Sequence, residues 1–398
     1  MLTFISILLA ALAVVLAIPV AVLLVEVVAS IVLPHADCAV LPSRDGRPRV
    51  AVLVPAHNES AGLLPTLADI RAQLRGSDLL VVVADNCTDD TAAVAAATGA
   101  DVVDRTDPSR RGKGYALAAG LRHLGGDPPD IVVMVDADCR LADSAVDRLA
   151  AACGASQRPV QATFFMISPD ECPINYRVAE FAWRVKNWVR PLGLRALGLP
   201  CQLMGSGMAF PWEVIRSVDL ASGSIVEDLK LGLDLALIGC PPVFCPFPGV
   251  TSNFPVSIEG GQSQRLRWEQ GHLGTILAAA PRLIFEGLAR PQLDLIAMAL
   301  DLAVPPLSLL LVLVVGMSTV TGLMILLGCS STAFLVSSTS LLGFACAVFL
   351  SWFRFGRDVL PPKEALSIVV YVIKKLPAYW KIISGKSVSQ WIRTDRGK

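Results

Sequence analysis

Two aspartates separated by one residue follow a short apolar run, a spacing that suits a divalent metal ion. Asp136 and Asp138 come directly after Val132–Val135. Because side chains alternate along an extended chain, both carboxylates can approach one cation and a diphosphate behind it. Mg²⁺ and Mn²⁺ prefer oxygen ligands, commonly one or two carboxylates with phosphate oxygens. The pattern predicts a metal site, with a solvated acidic turn as the alternative.

A basic, glycine-containing segment precedes a predicted helix. Residues 110–114 read Arg-Arg-Gly-Lys-Gly. Glycine lets the backbone approach a ligand closely, and a lysine beside a helix N-terminus attracts phosphate. The spacing differs from that of a P-loop. We expect Lys113 to contact a phosphate, with an ordinary solvated basic loop as the alternative.

Two further groups combine polar side chains with helical spacing. Glu227 and Asp228 open a leucine-rich helix, where acids also favour the helix dipole. Gln264, Arg267 and Trp268 share one helix face, because positions i, i+3 and i+4 are neighbours. Arginine matches phosphate oxygens, and tryptophan offers an apolar platform for a sugar ring. An amphipathic helix near a membrane is the alternative for this group.

Alternating strand and helix patterns between residues 49 and 289 predict an α/β fold with a parallel sheet. We expect strands at Val50–Pro55, Leu79–Val83, Val102–Val103 and Ile131–Val135, and helices at 61–75, at Thr88–Ala97 with Thr88 as its cap, and at Gly114–His123. Ligands lie beyond the carboxyl ends of such strands. The sheet should therefore gather Glu59, Asp85, Asp136 and Asp138 at one edge.

Three apolar runs, at residues 3–33, 303–328 and 333–353, are long enough to cross a bilayer. The tail after the third run is strongly basic, which predicts that it stays cytoplasmic and contacts anionic membrane lipids. With three spans, residues 37–290 are cytoplasmic as well. A further apolar segment at 365–383 is expected to lie at the interface, with a fourth span as the alternative.

Composition agrees with a membrane protein. The 398 residues are 54% hydrophobic and 17% charged, against about 25% charged in soluble domains. The formal net charge is zero, so the basic footprint of a nucleic-acid partner is missing. We divide the chain into an N-terminal transmembrane helix at 1–36, a cytosolic catalytic domain at 37–290, C-terminal transmembrane helices at 291–355, and a basic interfacial tail at 356–398.

The order of these motifs resembles the family 2 glycosyltransferases, and within them the membrane-bound synthases of cellulose, chitin and hyaluronan type. The resemblance covers about residues 50–280 and rests on the run Val52–Glu59, Asp136-Ala137-Asp138, Gly112–Leu117 (G-K-x-x-A-L in the family), Glu227-Asp228, and Gln264, Arg267 and Trp268 (Q-x-x-R-W). It implies a GT-A-like nucleotide-sugar-binding domain with N- and C-terminal transmembrane helices.

The resemblance also implies an activity and its residues. The reaction would be inverting transfer of a hexose or N-acetylhexosamine from a nucleotide diphosphate sugar, with Mg²⁺ or Mn²⁺ at Asp136 and Asp138. Asp228 would be the catalytic base. The substrate-binding residues would be Glu59, Asp85, Lys113, Asp136, Glu227, Gln264, Arg267 and Trp268. The family commonly reads D-D-G-S-x-D near Asp85, with an aspartate on uracil; here Ala84 replaces the first acid.

The acceptor stays open at this point. The Q-x-x-R-W motif favours a growing polysaccharide at the inner membrane, with other assembly or export subunits as partners. Three spans are few for a self-contained export channel, which favours single-sugar transfer to a membrane lipid or lipid-linked oligosaccharide. A non-catalytic membrane assembly subunit is the third alternative, and it predicts that one or more of the acids would be lost.

Overall fold

The computed structural model divides the chain into two compact units, which we call the sheet unit and the helical unit. It describes residues 1–34, 47–169, 172–221, 223–224, 226–255 and 258–364, together with 368, 375 and 379. The sheet unit comprises the described residues within 36–167 and 199–261, and the helical unit those within 1–35, 168–198 and 262–389. The four segment boundaries drawn from the sequence stay a prediction.

The elements follow one another along both units. The helices are α1 (Leu2–Val32), α2 (Leu64–Arg71), α3 (Thr91–Ala97), α4 (Lys113–Leu124), α5 (Ala145–Ser156), α6 (Ile174–Arg184), α7 (Arg190–Ala196), α8 (Trp212–Ile215), α9 (Glu227–Leu237), α10 (Ile258–Ala289), α11 (Leu293–Leu302), α12 (Leu307–Leu326) and α13 (Thr332–Phe355). The strands are β1 (Val50–Ala56), β2 (Leu79–Asp85), β3 (Asp101–Arg105), β4 (Ile131–Met134), β5 (Arg140–Leu141), β6 (Val160–Ile167), β7 (Met208–Pro211) and β8 (Val243–Asn253).

One eight-stranded sheet, in the order β3-β2-β1-β4-β7-β6-β8-β5, forms the sheet unit. β1 pairs in parallel with β2 and β4, and β2 pairs in parallel with β3. The α/β fold is therefore confirmed, with its parallel half built from the four strands predicted from the sequence.

The rest of the sheet is mixed, so the prediction of a parallel sheet is wrong beyond β4. β7 runs antiparallel to both β4 and β6. The Gly207 amide donates to the Met134 carbonyl at 3.0 Å, so the chain enters β7 beside the end of β4 and must run back along it. The strand–helix alternation in the sequence ends at β4, so it could not indicate that β7 runs antiparallel to β4.

The core explains why β1 is continuously apolar. Leu53 packs in the cluster shared with α4 and α9, whereas Val52 and Val54 point to the opposite face and are equally buried. A strand covered on both faces needs apolar residues at every position. Gly120 of α4 lies so close to β1 that a Cβ there would be 2.3 Å from a Leu53 methyl. This close approach fixes α4 over the sheet.

Two helix predictions need correction at their starts. The helix expected at 61–75 is a 3-10 turn at Ser60–Leu63 followed by α2, because Pro65 lies in the first turn of α2 and lacks an amide hydrogen. The helix expected from Thr88 begins at Thr91. Thr88 does not cap it; its backbone amide donates to the Asn58 side chain at 2.7 Å.

The helical unit contains the three expected apolar helices. Leu2–Val32, Leu307–Leu326 and Thr332–Phe355 are each long and apolar enough to cross a membrane. α1 contacts α13, α12, α7 and α11, and α12 contacts α13. The interfacial segment expected at 365–383 lies outside the described residues except for 368, 375 and 379.

A buried charge cluster joins three helices of this unit. Arg190 of α7 donates from Nε to Glu26 of α1 at 2.6 Å and from its terminal nitrogen to the Asp301 carbonyl of α11 at 2.7 Å. It also forms an ion pair with the Asp301 carboxylate, and all three residues are at most 6% exposed. A Cβ on Gly193 would lie 1.9 Å from the Glu26 carbonyl oxygen, so α7 can approach α1 only with glycine there.

We predict that Arg190→Met strongly destabilises the protein. The change leaves two buried carboxylates without their guanidinium, which costs about 3–5 kcal/mol when a buried pair is broken. The matched control is Arg290→Met, because the Arg290 side chain is 62% exposed and forms an ion pair with Glu286 at the end of α10. That pair should contribute about 0–1 kcal/mol. Unfolding midpoints of the detergent-purified variants measure both, and equal shifts would contradict the prediction.

Candidate active site

The turn after β4 holds the two aspartates of the predicted metal site. The Asp136 amide donates to Ser206 Oγ at 3.1 Å, and the Cys139 amide donates to the Asp136 carbonyl at 3.1 Å. Ser252 of β8 donates its hydroxyl to the Asp138 carboxylate at 2.8 Å. One ligand atom from each of Asp136, Asp138 and Cys139 can lie within 4.8 Å of the others. The turn therefore presents a compact set of possible ligands.

The donor chemistry of this set fits Mg²⁺ or Mn²⁺. Burial raises the pKa of the Cys139 thiol to about 12, and the Asp136 charge adds to the shift. In the metal-free protein Cys139 is therefore a neutral thiol, and its soft sulfur suits softer metals than Mg²⁺ or Mn²⁺. The carboxylate oxygens of Asp136 and Asp138 remain, and oxygen ligands suit these two hard cations.

Thr66 supports this turn through its side-chain hydroxyl, a role that was not predicted from the sequence. It lies on α2, is 1% exposed, and its hydroxyl is 2.7 Å from the Ala137 carbonyl and 2.6 Å from the Cys139 carbonyl. A hydroxyl on the apolar face formed by Leu63, Leu67 and Ile70 was the available signal. Its position shows that the helix after β1 anchors the turn after β4.

Lys113 begins α4 and reaches into the same turn. Its ammonium forms an ion pair with Asp136, lies 3.8 Å from a Glu227 oxygen and donates to the Gly205 carbonyl at 2.6 Å. Burial alone would lower the pKa of Lys113, but the charges of Asp136, Glu227 and Asp228 outweigh burial and raise it. Lys113 therefore carries its charge throughout the physiological pH range.

The loop before β7 brings backbone close to these side chains. Gly205 and Gly207 have φ values of +95° and +66°, which favour glycine. A Cβ on Gly205 would be 3.3 Å from an Asp228 oxygen. Gln161 holds the loop by donating to the Ser206 carbonyl at 2.9 Å and accepting from the Met204 amide at 2.7 Å. The loop is thus part of the site, a role that its sequence left open.

Glu227 and Asp228 occupy the first turn of α9, as the sequence predicted. They line a pocket together with Lys113 and Asp219. Burial raises the pKa of Glu227 to about 7; Lys113 opposes this shift and Asp228 adds to it. Asp136, Lys113, Glu227 and Asp228 therefore form one charged cluster at the sheet edge.

Asp85 ends β2 and is held by a residue that sequence reasoning missed. Arg105, at the end of β3, forms an ion pair with Asp85 and lies 3.1 Å from Asp107. The same guanidinium is 5.8 Å from the centre of the Tyr115 ring. Pairing of β2 with β3 places Arg105 directly opposite Asp85, which is the signal that a strand register would have supplied.

Glu59 follows β1 and is positioned by its backbone. Its amide donates to Thr91 Oγ1 of α3 at 2.9 Å, and the side chain is half-buried. The structure thus places Glu59 beyond the carboxyl end of β1, as expected. Its predicted contact with substrate stays a prediction.

Gln264, Arg267 and Trp268 lie on α10 in the part that belongs to the helical unit. Gln264 and Arg267 are 6% and 7% exposed. The Trp268 ring lies 4.9 Å from that of Trp183 in α6, measured between centroids and at 46°. The predicted helical placement is confirmed, and the aromatic partner Trp183 is an addition from the structure. The substrate-binding role of the three residues stays a prediction.

We predict that Thr66→Val weakens the metal site through its support. The variant removes the one hydroxyl hydrogen that two buried carbonyls share, and a buried acceptor left unsatisfied costs about 1–3 kcal/mol. Both the unfolding midpoint and Mn²⁺ affinity should fall. Thr98→Val is the control, because the Thr98 hydroxyl donates at 2.7 Å only to Ala95 within its own turn. An unchanged Mn²⁺ affinity in Thr66→Val would remove Thr66 from this role.

We predict that the protein loses stability as the pH rises from about 5 to about 8. The folded state keeps a proton on Glu227 up to its pKa of about 7, whereas the unfolded chain releases it near 4.5. This contribution is complete below 4.5 and is lost as the pH rises through 7. Its full size is about 3 kcal/mol.

The test compares unfolding midpoints at the two pH values. Glu227→Gln cannot ionise and should lose less stability than the wild type over this interval. Asp234→Asn, in an exposed pair with Lys230 on the same helix, should behave as the wild type does. Parallel decreases in the wild type and Glu227→Gln would show that Glu227 is not the group responsible.

Comparison with known proteins gives partial matches to curated relatives and a full-length match in fold. The chain is 34% identical over 109 residues to the low-salt glycan biosynthesis hexosyltransferase Agl6 of Haloferax volcanii, covering 26% of this chain and 25% of that protein. It is 39% identical over 95 residues to glucosyl-3-phosphoglycerate synthase of Mycobacterium tuberculosis, covering 22% of this chain and 28% of that one. The chain thus spans about a quarter of the length of these curated relatives.

A solved mannosyltransferase from Pyrobaculum calidifontis, in complex with GDP-Man and Mn²⁺, covers 95% of this chain and 100% of its own. The TM-score is 0.53 at 18% identity, a likeness that supports the GT-A-like fold. The family model described as "Glycosyltransferase like family 2" matches residues 48–271. This match covers more than half of the chain, and the protein therefore belongs to glycosyltransferase family 2.

Proposed function

We propose that this protein transfers a hexose or N-acetylhexosamine, with inversion, from a nucleotide diphosphate sugar to an acceptor at the membrane. The observation that carries the proposal is the cluster of Lys113, Asp136, Glu227 and Asp228, in which a half-buried ammonium contacts the predicted metal ligand. Such a cluster supplies the cations that a diphosphate needs and the carboxylates that an attacking hydroxyl needs.

The leaving diphosphate defines the first half of the mechanism. Asp136 and Asp138 would hold Mg²⁺ or Mn²⁺, which when bound neutralises charge on the diphosphate oxygens. Lys113 would donate to those oxygens as the bond between the anomeric carbon and the diphosphate breaks. Such preorganised charge is effective because it stabilises the group where negative charge develops.

The acceptor defines the second half. An acceptor hydroxyl attacks the anomeric carbon on the face opposite the diphosphate, which inverts its configuration. Asp228 takes the proton of that hydroxyl, while Glu227 binds substrate beside it. Positioned proton transfer of this kind contributes about 10²–10⁴-fold to the rate. Asp228 lies beside Gly205 in the loop before β7, and Gly205 also lies beside Lys113. This position next to the proposed diphosphate contact supports the assignment of Asp228 as the base.

For the donor we propose a UDP-sugar, read through Asp85. Glu59 and Asp85 both follow strands at the sheet edge, where a nucleoside can bind beyond the carboxyl ends. Because Asp85 pairs with Arg105, the base would meet a carboxylate and a guanidinium together. Ala84 stands at the first of the two adjacent acidic positions of the family's motif, so Asp85 is the carboxylate left of that pair.

For the acceptor we propose a growing polysaccharide. The support is Trp268, which with Trp183 forms an aromatic pair beside the buried Gln264 and Arg267 in the helical unit. Aromatic faces suit sugar rings, and the amide and guanidinium suit hydroxyls and phosphates. A single transfer to a membrane lipid is the second candidate, because three candidate spans among the described residues are few for an export channel.

The cellular setting follows from the apolar helices. We propose a multi-pass protein of the inner membrane, with the catalytic unit and the basic C-terminus on the cytoplasmic side. Three helices of spanning length and the basic residues after the last of them support this orientation. Other assembly or export subunits would be its partners if the product is a polymer.

The test supplies labelled nucleotide sugars to membranes that contain the protein, with Mg²⁺ or Mn²⁺, and separates lipid extract from high-mass polymer. Label in polymer supports the polysaccharide synthase, and label in the lipid extract supports the second candidate. The panel includes UDP- and GDP-linked hexoses, so that the donor base is identified in the same assay.

We predict that Asp228→Asn binds the donor nucleotide but loses transfer by about 10²–10⁴-fold, because the amide cannot accept the hydroxyl proton. Asp234→Asn is the matched control, since Asp234 lies on α9 too and forms an exposed pair with Lys230. The readouts are label transfer and nucleotide affinity. Turnover by Asp228→Asn at the wild-type rate would exclude Asp228 as the base.

A further inference from the structure

The Lys113 ammonium contacts Asp136, the carboxylate that the predicted metal ion would also bind. It forms an ion pair with Asp136, donates to the Gly205 carbonyl at 2.6 Å and lies 3.8 Å from Glu227. The Lys113 side chain is 20% exposed and that of Asp136 is 28% exposed, so water screens these charges only in part. Asp136 is therefore already neutralised by a residue of the chain itself.

A metal ion that binds Asp136 would lie close to this ammonium. Like charges at such a distance repel strongly when screening is weak. The repulsion is relieved if Lys113 turns toward another anion. A lysine has a flexible four-carbon stem and three rotatable donors, so it can exchange partners without moving its helix.

We propose that Lys113 is a built-in cation that competes with the divalent metal for Asp136 and is drawn away by the diphosphate of the donor. Resting on the proposed function, this assigns Lys113 a positioning role that makes metal and nucleotide binding mutually dependent. The metal binds weakly to the free protein and tightly with nucleoside diphosphate. By linkage, each ligand must raise the affinity for the other by the same factor.

The loop before β7, which contains Gly205, provides Lys113 with an uncharged hydrogen-bond acceptor. The Gly205 carbonyl accepts from Lys113 at 2.6 Å, and the φ of Gly205, +95°, lies in a region that favours glycine. Lys113 therefore has two charged partners, Asp136 and Glu227, and one neutral partner, the Gly205 carbonyl. When a metal takes Asp136, the ammonium stays beside Glu227 and Gly205, from where it can donate to a phosphate oxygen.

The experiment measures Mn²⁺ binding to the full detergent-purified chain from the electron paramagnetic resonance signal of free Mn²⁺. Titrations are run alone, with UDP and with GDP. The variants are Lys113→Met, Lys113→Gln, which keeps a donor for the Gly205 carbonyl, and Lys113→Arg, which keeps the charge. Lys230→Met is the control, since Lys230 is a 50% exposed lysine that pairs with Asp234.

Lys113→Met and Lys113→Gln should bind Mn²⁺ alone about tenfold or more tightly than the wild type, since one repelling charge is gone. The increase in Mn²⁺ affinity on adding UDP or GDP should be correspondingly smaller in these two variants. Lys230→Met should behave as the wild type does, and Lys113→Arg, which keeps the charge, should show no gain in affinity for Mn²⁺ alone. A variant that is merely damaged would lose Mn²⁺ affinity, so a gain in affinity separates the proposed role from a structural one.

The proposal is overturned if either neutral variant that folds binds Mn²⁺ alone no more tightly than the wild type. It is also overturned if the nucleotide-dependent gain is the same in the neutral variants and the wild type. Failure of the proposed function looks different: no nucleotide sugar is turned over and neither UDP nor GDP binds with Mn²⁺. The titration with Mn²⁺ alone still tests Lys113 in that case.

Discussion

Like charge concentrated at one edge of a sheet is the constraint on which the site depends. Parallel strands end side by side, so polar residues that follow them are brought together whatever their mutual repulsion. Asp136 is placed in this way, whereas Glu227 and Asp228 belong to the first turn of α9, and the three acids meet around Lys113. One ammonium cannot balance three carboxylates, and the pKa of Glu227, which burial raises most, is raised further by Asp228 and Asp136. Carboxylates in excess over one ammonium favour the binding of a further cation, and that cation together with the ammonium favours phosphates.

The surrounding protein holds this unfavourable arrangement through buried, neutral contacts. Thr66 bonds the carbonyls of the turn after β4, and Ser206 accepts the Asp136 amide. Gln161, which is fully buried, bridges Met204 and Ser206 so that the loop before β7 cannot shift. None of these side chains has a charge to add to the cluster. The supports therefore fix the positions of the acids without neutralising them, which leaves that task to Lys113 and to ligands.

How much the sequence predicts depends on whether a feature is local. The apolar runs of β1, β2 and β4 and the acids that follow them identify strand ends directly, and these predictions are confirmed. Arg105, Thr66 and Gln161 were missed because their roles depend on partners 20 or more residues away, such as Asp85. The mixed half of the sheet was missed for a related reason. β7 has four residues, and its antiparallel direction follows from its pairing with β4.

Two cations of the protein, Arg190 and Lys113, use different chemistry for different tasks. In the helical unit, Arg190 meets Glu26 and Asp301 with several directed donors, and Gly193 removes any room for rearrangement. A planar guanidinium suits such a fixed junction. In the sheet unit, Lys113 meets its acids as a point charge on a flexible stem, beside a loop carbonyl. Arginine at position 113 would hold Asp136 through paired donors and release it less readily, whereas lysine allows exchange with a phosphate. Arginine therefore suits a permanent ion pair between helices, and lysine suits an ion pair that a ligand can replace.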